Sequence, residues 1–193
     1  KLFTTLRTFA KSRSCMANKS ITVKDKTFEL YIPEEQIRRE VVRIAEEMNH
    51  DLADRNPVFL GILNGAFMFA SDLFKLIRFP SQITFLRLAS YDGVVSTGKV
   101  KQLIGLNQDL KDRVVVVLED IVDTGITLDT ILRQLNGFEP REIRVATMFH
   151  KPEATQKEVK LDYVGREIRN EFVLGYGLDY DGYGRNLPEI YVL

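Results

Sequence analysis

Residues 114–127 have the sequence VVVVLEDIVDTGIT, and this stretch decides the fold. Its five leading aliphatic residues predict a strand buried on both faces, as central strands of a parallel sheet are. The apolar pattern from Thr127 to Leu135 then predicts a helix. Because ligands of parallel α/β sheets bind at the carboxyl ends of the strands, the residues between this strand and this helix are the first candidates for a functional site.

The turn between the two elements is suited to a phosphate group. Backbone amides at a helix N-terminus attract anions, and the helix dipole adds to that attraction. Two threonine hydroxyls can donate as well, and a glycine lets the backbone come close to a ligand. No lysine follows the turn, which excludes the loop that binds nucleoside triphosphates through Gly-Lys-Ser/Thr. The expected phosphate site consists of Asp123, Thr124, Gly125, Ile126 and Thr127.

The acids of the stretch suggest what else is bound. Glu119 and Asp120 can accept hydrogen bonds from a ribose diol or help to hold a hard cation, and Asp123 could accept a proton. Helix capping explains Asp and Thr residues taken singly, but it explains the whole run poorly. Aspartic proteases share Asp-Thr-Gly, but they need a second carboxylate as a dyad, and this chain has no second Asp-Thr/Ser-Gly.

The flanking sequence predicts one α/β domain over residues 21–193. The predicted helices are Pro33 to Asp54 and Phe67 to Ile77, and the predicted strands are Pro57 to Leu63, Gln82 to Leu88, Ile143 to Phe149, Leu161 to Ile168, Phe172 to Leu178 and Ile190 to Leu193. Between Ser90 and Lys101 the sequence is rich in Gly and polar residues, which predicts a long, mobile functional loop.

Composition excludes some classes of protein. Lys+Arg and Asp+Glu both number 27, so a general nucleic-acid binder is not expected. The longest aliphatic run is too short to span a bilayer. A single cysteine, Cys15, forms no internal disulfide and fits a reducing compartment. Residues 1–20 contain five basic residues and no acid. We expect them to be a poorly ordered extension ahead of a start at Met16, although a transit peptide remains an alternative.

Residues 116–127 resemble the phosphoribosyl pyrophosphate signature of the type I phosphoribosyltransferases. The segments 149–152, 172–180 and 185–186 are similar to the base-binding part of the hypoxanthine–guanine enzymes of that family, and the likeness runs from about Thr22 to the C-terminus. It implies a central parallel sheet flanked by helices, with a small C-terminal strand-rich hood. It also implies Mg²⁺ as cofactor, a purine base and phosphoribosyl pyrophosphate as substrates, and IMP or GMP and pyrophosphate as products. Purine salvage in the cytoplasm by a homodimer or homotetramer would follow, with no nucleic-acid or membrane partner.

The resemblance also implies individual roles. Lys151 would donate to the purine O6, Phe172 would stack on the base and the backbone at Val173 would contact the edge of its ring. Asp179 would lie near pyrophosphate and, with Glu119 and Asp120, the metal. Pyrophosphate would contact Asn64, Gly65 and Arg185, and Ser90 and Tyr91 would open the flexible loop that closes over the site.

Two positions depart from the family pattern. Asn64 stands where the family often has lysine beside an unusual cis peptide, and Glu171 stands where a basic residue is common before the stacking aromatic. The preference among hypoxanthine, guanine and xanthine therefore stays open. Two other functions are open: a non-catalytic, regulatory relative that senses a nucleotide and binds RNA or DNA, and a transferase for adenine or a pyrimidine. No basic face is visible for the first, and Lys151 argues against the second.

Overall fold

The structure, a computed structural model, describes residues 19–91, 100–104, 106 and 108–193. In chain order its elements are β1 Ser20–Val23, β2 Lys26–Ile32, α1 Glu34–Asp51, β3 Val58–Ile62, α2 Phe67–Phe74, β4 Gln82–Tyr91, β5 Val100–Ile104, β6 Val114–Val122, α3 Ile126–Asn136, β7 Glu142–His150, β8 Tyr163–Glu167, β9 Val173–Leu174 and β10 Ile190–Val192, with a short 3-10 helix at Pro152–Ala154.

The larger sheet has the strand order β5-β4-β3-β6-β7-β8. Its last five strands are parallel, and β5 pairs antiparallel with β4 at the edge. Helices α1 and α2 pack on one face and α3 on the other. Along β6, Val114, Val116 and Leu118 face the first layer, whereas Val115 and Val117 face the second. Burial on both faces explains the uninterrupted aliphatic run and confirms the predicted central strand.

A second, antiparallel sheet has the order β1-β2-β10-β9. We call this sheet, together with residues 175–189 that connect β9 to β10, the hood. Its small core contains Phe28, Leu174 and Tyr191. The strand-rich hood expected from the C-terminal sequence is confirmed, but half of its strands come from the N-terminal hairpin β1–β2, which was not foreseen from the sequence. Residues 172–178 were expected to form one strand, and this is wrong. Only β9 is extended, because the backbone adopts positive φ at Gly175, Tyr176 and Gly177.

The expected loop between Ser90 and Lys101 is shorter than predicted. Strand β4 continues to Tyr91, which pairs with Val100 of β5, so Ser90, Tyr91, Val100 and Lys101 belong to paired strands and not to a loop. Residues 92–99 lie outside the described residues, as does most of the expected extension, residues 1–18. Within the part of the chain that is described, no helix is long and apolar enough to cross a membrane.

Candidate active site

Strand β6 carries the paired acids into the site. It ends at Val122 rather than at Leu118 as predicted, because Glu119 pairs with Thr147 of β7 and the ladder continues to the pair Val122–His150. Glu119 is only 7% exposed. Burial raises the pKa of Glu119 well above its ordinary value, and the neighbouring Asp120 carboxylate raises it further. Burial also raises the pKa of Asp120, whose Oδ1 accepts a hydrogen bond from the amide of Ile121 at 2.9 Å.

The predicted phosphate site is a concave cradle. A cavity of about 220 Å³ is lined by residues 119–125, 127 and 128, at the N-terminus of α3. The N-cap of this helix is Gly125, which has no side chain to cap it, and the one capping contact is a long hydrogen bond from the amide of Ile126 to Thr124 Oγ1 at 3.4 Å. Gly125 has φ 78°, and a Cβ there would lie 2.2 Å from the carbonyl oxygen of Lys157. Both requirements make glycine necessary at this position.

The segment that braces the cradle was not foreseen from the sequence. The amides of Gln156 and Lys157 both donate to the carbonyl oxygen of Thr124, each at 3.0 Å. These residues belong to an irregular, charged stretch between β7 and β8, and nothing in such a stretch indicates a backbone contact. The cradle is therefore held between the start of α3 and the loop that follows β7.

Lys151 and Asp123 meet beside the cradle. The amide of Lys151 donates to the carbonyl oxygen of Val122 at 2.9 Å, which brings the residue against the end of β6. Its ammonium Nζ then lies 3.2 Å from Asp123 Oδ2. Lys151 is 6% exposed, so it is a buried, paired cation and not the solvated lysine common at strand ends.

A third group of predicted residues lies around Gly65. A Cβ on Gly65 would lie 1.5 Å from Asp120 Oδ2, so the backbone and this carboxylate are in direct contact. Arg185 pairs with Asp179 Oδ1 at 2.5 Å and donates to the carbonyl oxygen of Gly177 at 2.6 Å. The charge of Arg185 also acts on Asp120, where it lowers the pKa against the effect of burial. The peptide bond between residues 63 and 64 is cis, a point that the sequence left open because Asn64 departs from the family pattern.

Phe172 is presented as an open aromatic surface. Its side chain is 47% exposed, and it packs against Phe28 and Tyr180 with ring centroids at 6.2 and 5.9 Å. Phe28, from β2, is fully buried beneath it and was not foreseen. Val173, the next residue, is buried at the start of β9. A half-exposed ring supported by two others is suited to stacking on a planar ligand.

Two further predictions concern the start of the flexible loop and the metal site. Ser90 and Tyr91 are the last residues of β4, and their side chains lie outside the described part of the structure. Among the described residues, no group of three or more His, Cys, Asp and Glu side chains could hold a metal ion. The carboxylates of Glu119, Asp120 and Asp179 therefore do not form a complete metal cage. Such a site suits Mg²⁺, which usually binds through one or two carboxylates together with substrate phosphates and water.

The parallel sheet, the acidic strand end and the phosphate cradle together define a type I phosphoribosyltransferase. A family model described as the phosphoribosyl transferase domain matches residues 32–181. The hypoxanthine-guanine phosphoribosyltransferase of Bacillus subtilis is 36% identical over 163 residues, which cover 84% of this chain and 91% of the relative. The enzyme of that name from Mycobacterium tuberculosis is 37% identical over 163 residues, 81% of each chain.

Solved structures agree with this assignment. A crystal structure of a hypoxanthine phosphoribosyltransferase from Staphylococcus aureus matches with a TM-score of 0.79 and 34% identity, covering 86% of this chain and 90% of that one. The chain belongs to the phosphoribosyltransferase family and, within it, to the hypoxanthine–guanine phosphoribosyltransferases. The resemblance stated from the sequence and the fold class expected from it are both confirmed.

Proposed function

We propose that the protein salvages purines by joining hypoxanthine or guanine to the ribose 5-phosphate of phosphoribosyl pyrophosphate, forming IMP or GMP and releasing pyrophosphate. The observation that carries this proposal is the pair Lys151–Asp123 beside the cradle, with Nζ and Oδ2 3.2 Å apart. The pair places a cation and a proton acceptor next to the place where the cradle would hold the sugar phosphate. A 6-oxopurine offers a carbonyl oxygen for the first and an N–H for the second.

The base is recognised by a buried donor. Lys151 donates to the exocyclic O6, which adenine lacks. Because Lys151 is 6% exposed, a base without this acceptor would leave the buried ammonium with Asp123 but with no acceptor on the base, and such mismatches are strongly discriminated. Phe172 stacks on one face of the ring, a contact worth about 1–3 kcal/mol. The backbone at Val173 contacts the edge of the ring.

The reaction then needs a proton acceptor and a site for the leaving group. Asp123 accepts or shares the N7 proton as the bond between ribose C1 and N9 forms, while residues 123–127 hold the 5-phosphate. Asn64, the amide of Gly65 and the fork of Arg185 bind the departing pyrophosphate, whose negative charge they offset. Magnesium, held by Glu119 or Asp120, near Asp179, and by the substrate's own oxygens, would supply further charge stabilisation. The segment that begins at Ser90 and Tyr91 closes over the reacting atoms and excludes water.

We further propose a cytoplasmic homodimer or homotetramer. The single cysteine fits a reducing compartment, and the balanced charge gives no reason to expect a nucleic-acid partner. Leu63, Phe67 and Phe85 are large apolar side chains that are 37–40% exposed at or near the β3–α2 turn. Apolar surface of this kind is typical of contacts between subunits.

One assay panel tests the function. Purified protein with Mg²⁺ and phosphoribosyl pyrophosphate is incubated separately with hypoxanthine, guanine, xanthine and adenine, and nucleotide formation is followed by chromatography. We expect turnover of hypoxanthine or guanine and at least 100-fold lower kcat/KM for adenine. Preferred use of adenine, or turnover of none of the four bases, would contradict the proposal.

A further inference from the structure

Two glycine contacts stack the hood on the turn that follows β3. The backbone of Gly65 lies against the Asp120 carboxylate on one side. On the other side lies Gly177, where a Cβ would be 2.0 Å from the carbonyl oxygen of Gly65. Gly177 has φ 96°, a conformation that glycine adopts without strain. The position of Gly65 therefore depends on where the hood places Gly177.

The neighbouring residue Tyr176 anchors Gly177 to the rest of the protein. Tyr176 is 3% exposed, and its hydroxyl donates to Asp72 Oδ2 at 3.0 Å. Its amide donates to the carbonyl oxygen of Leu187 at 2.8 Å. Burial raises the pKa of Tyr176 well above its ordinary value, so the hydroxyl remains a donor throughout the working range of pH.

The hydrogen bond joins both sides of the Gly65 turn. Asp72 lies in α2, which begins at Phe67, two residues after Gly65, whereas Tyr176 lies in the hood. The bond also borders an open cavity of about 430 Å³ that Asp72 and Tyr176 help to line. The ring of Tyr176 also packs in the larger core with residues of α1 and α2, so packing and the hydrogen bond together set the separation of α2 and the hood. Replacing Tyr176 with phenylalanine keeps the packing and isolates the hydrogen bond.

We infer that Tyr176 is a positioning residue for pyrophosphate. Through its bond to Asp72 it holds Gly177 against the Gly65 carbonyl, and thereby fixes the Gly65 backbone beside the Asp120 carboxylate. This inference rests on the proposed contact of Gly65 with pyrophosphate. It assigns a role in binding the leaving group to a side chain that does not touch it.

The test compares two buried tyrosines that each donate to a carboxylate; the Tyr163 hydroxyl also accepts from Arg144 Nη1 at 2.7 Å. Tyr176→Phe removes only the hydroxyl. Tyr163→Phe is the matched control, because Tyr163 is also 3% exposed and also donates to a carboxylate, Asp51 Oδ2 at 3.1 Å, but lies at the start of β8. The readouts are KM for phosphoribosyl pyrophosphate, KM for hypoxanthine, and the Kd of pyrophosphate with Mg²⁺ by calorimetry.

We expect Tyr176→Phe to raise the KM for phosphoribosyl pyrophosphate and the Kd of pyrophosphate about fivefold, the effect of one lost hydrogen bond, with the KM for hypoxanthine unchanged within about twofold. Tyr163→Phe should change none of these constants. Equal shifts in both variants, or none in Tyr176→Phe, would overturn the inference.

Two substitutions of Asp72 test the same bond from the other side. Asp72→Asn keeps an acceptor oxygen and should bind pyrophosphate nearly as the wild type does, whereas Asp72→Ala should reproduce the shift of Tyr176→Phe. Equal affinity in the two Asp72 variants would also overturn the inference. The calorimetric Kd needs no turnover, so a wild type that binds pyrophosphate but transfers no ribosyl group would contradict the proposed function and leave this test decisive.

Discussion

Gly65→Ala perturbs the site through one contact. A Cβ at position 65 would lie 1.5 Å from Asp120 Oδ2 and 2.3 Å from its Cγ, distances that nonbonded atoms do not adopt. Gly65 is not among the residues with positive φ, so alanine places no strain on its backbone. The Asp120 carboxylate must therefore move by about 1.5 Å or more, because real Cβ contacts are essentially never shorter than 3.0 Å.

The size of the effect follows from what that movement breaks. The Asp120 carboxylate accepts from the amide of Ile121 at 2.9 Å, and a displacement of this size takes the pair beyond hydrogen-bond distance. A hydrogen bond to a charged group contributes about 1.5–3 kcal/mol. At about 1.4 kcal/mol per factor of ten, kcat/KM for phosphoribosyl pyrophosphate should fall about 10- to 100-fold.

Steady-state kinetics with both substrates, together with thermal unfolding, provide the assay. The KM for hypoxanthine should stay close to that of the wild type, because Asp120 and Gly65 are not proposed to touch the base. Gly137→Ala is the control: its Cβ would lie 3.2 Å from the Gln134 carbonyl oxygen, at the C-terminus of α3 and away from the site, so its kinetics should not change. A Gly65→Ala protein with wild-type kcat/KM for phosphoribosyl pyrophosphate would refute the contact and the proposed role of Asp120.

Three further substitutions test the other parts of the site. Asp123→Asn should lower kcat about 100-fold or more, because it removes the proton acceptor. The affinity for IMP, measured by calorimetry, should change little because asparagine has the same shape as aspartate. Turnover equal to that of the wild type would show that Asp123 is not the proton acceptor. Lys151→Gln should lower kcat/KM for hypoxanthine about 10- to 100-fold and reduce the ratio of kcat/KM for hypoxanthine to that for adenine. An unchanged ratio would show that another residue recognises O6. Glu119→Gln should raise the unfolding temperature at pH 8 but not at pH 4. Burial raises the pKa of Glu119 in the folded state, so the wild type loses stability as the pH rises from the ordinary carboxyl pKa to the raised one. Within that window the loss is about 1.4 kcal/mol for each pH unit, and glutamine has no such loss. A difference in unfolding temperature that does not depend on pH would contradict this.

The sequence predicts the centre of this fold well because one physical signal dominates there. Five consecutive aliphatic residues satisfy two hydrophobic layers at once, as a central strand of a parallel sheet requires. The turn and helix that follow it are local in sequence, so the cradle at residues 123–127 could be placed before its shape was known. The position of Lys151 depends on the register of β7 with β6, which the sequence does not specify.

The hood was harder to foresee because its parts are far apart in the chain. Phe28, Leu30 and Ile32 alternate with polar residues or tyrosine in β2, a period that indicates a strand, but nothing in that period shows that β2 pairs with β10 at the opposite end of the chain. The support of Phe172 by Phe28 follows from this pairing. The contact between Gly65 and Gly177 is equally hidden, since a glycine carries no side chain from which a partner could be inferred.

The paired acids show why a site can be predicted more readily than its geometry. A buried strand that ends in two carboxylates conflicts with the ordinary rule that charges stay in water, and such conflicts are typical of functional positions. In the folded protein the conflict is visible as a raised pKa at both Glu119 and Asp120. A ribose diol or a cation would stabilise the charged forms of the two carboxylates. Ligand binding would therefore offset the free-energy cost of burying them. The sequence does not show how the acids are held. The Gly65 backbone contacts Asp120, and Gly177 of the hood contacts Gly65. The geometry of the acids therefore depends on residues more than 50 positions away on both sides in the sequence.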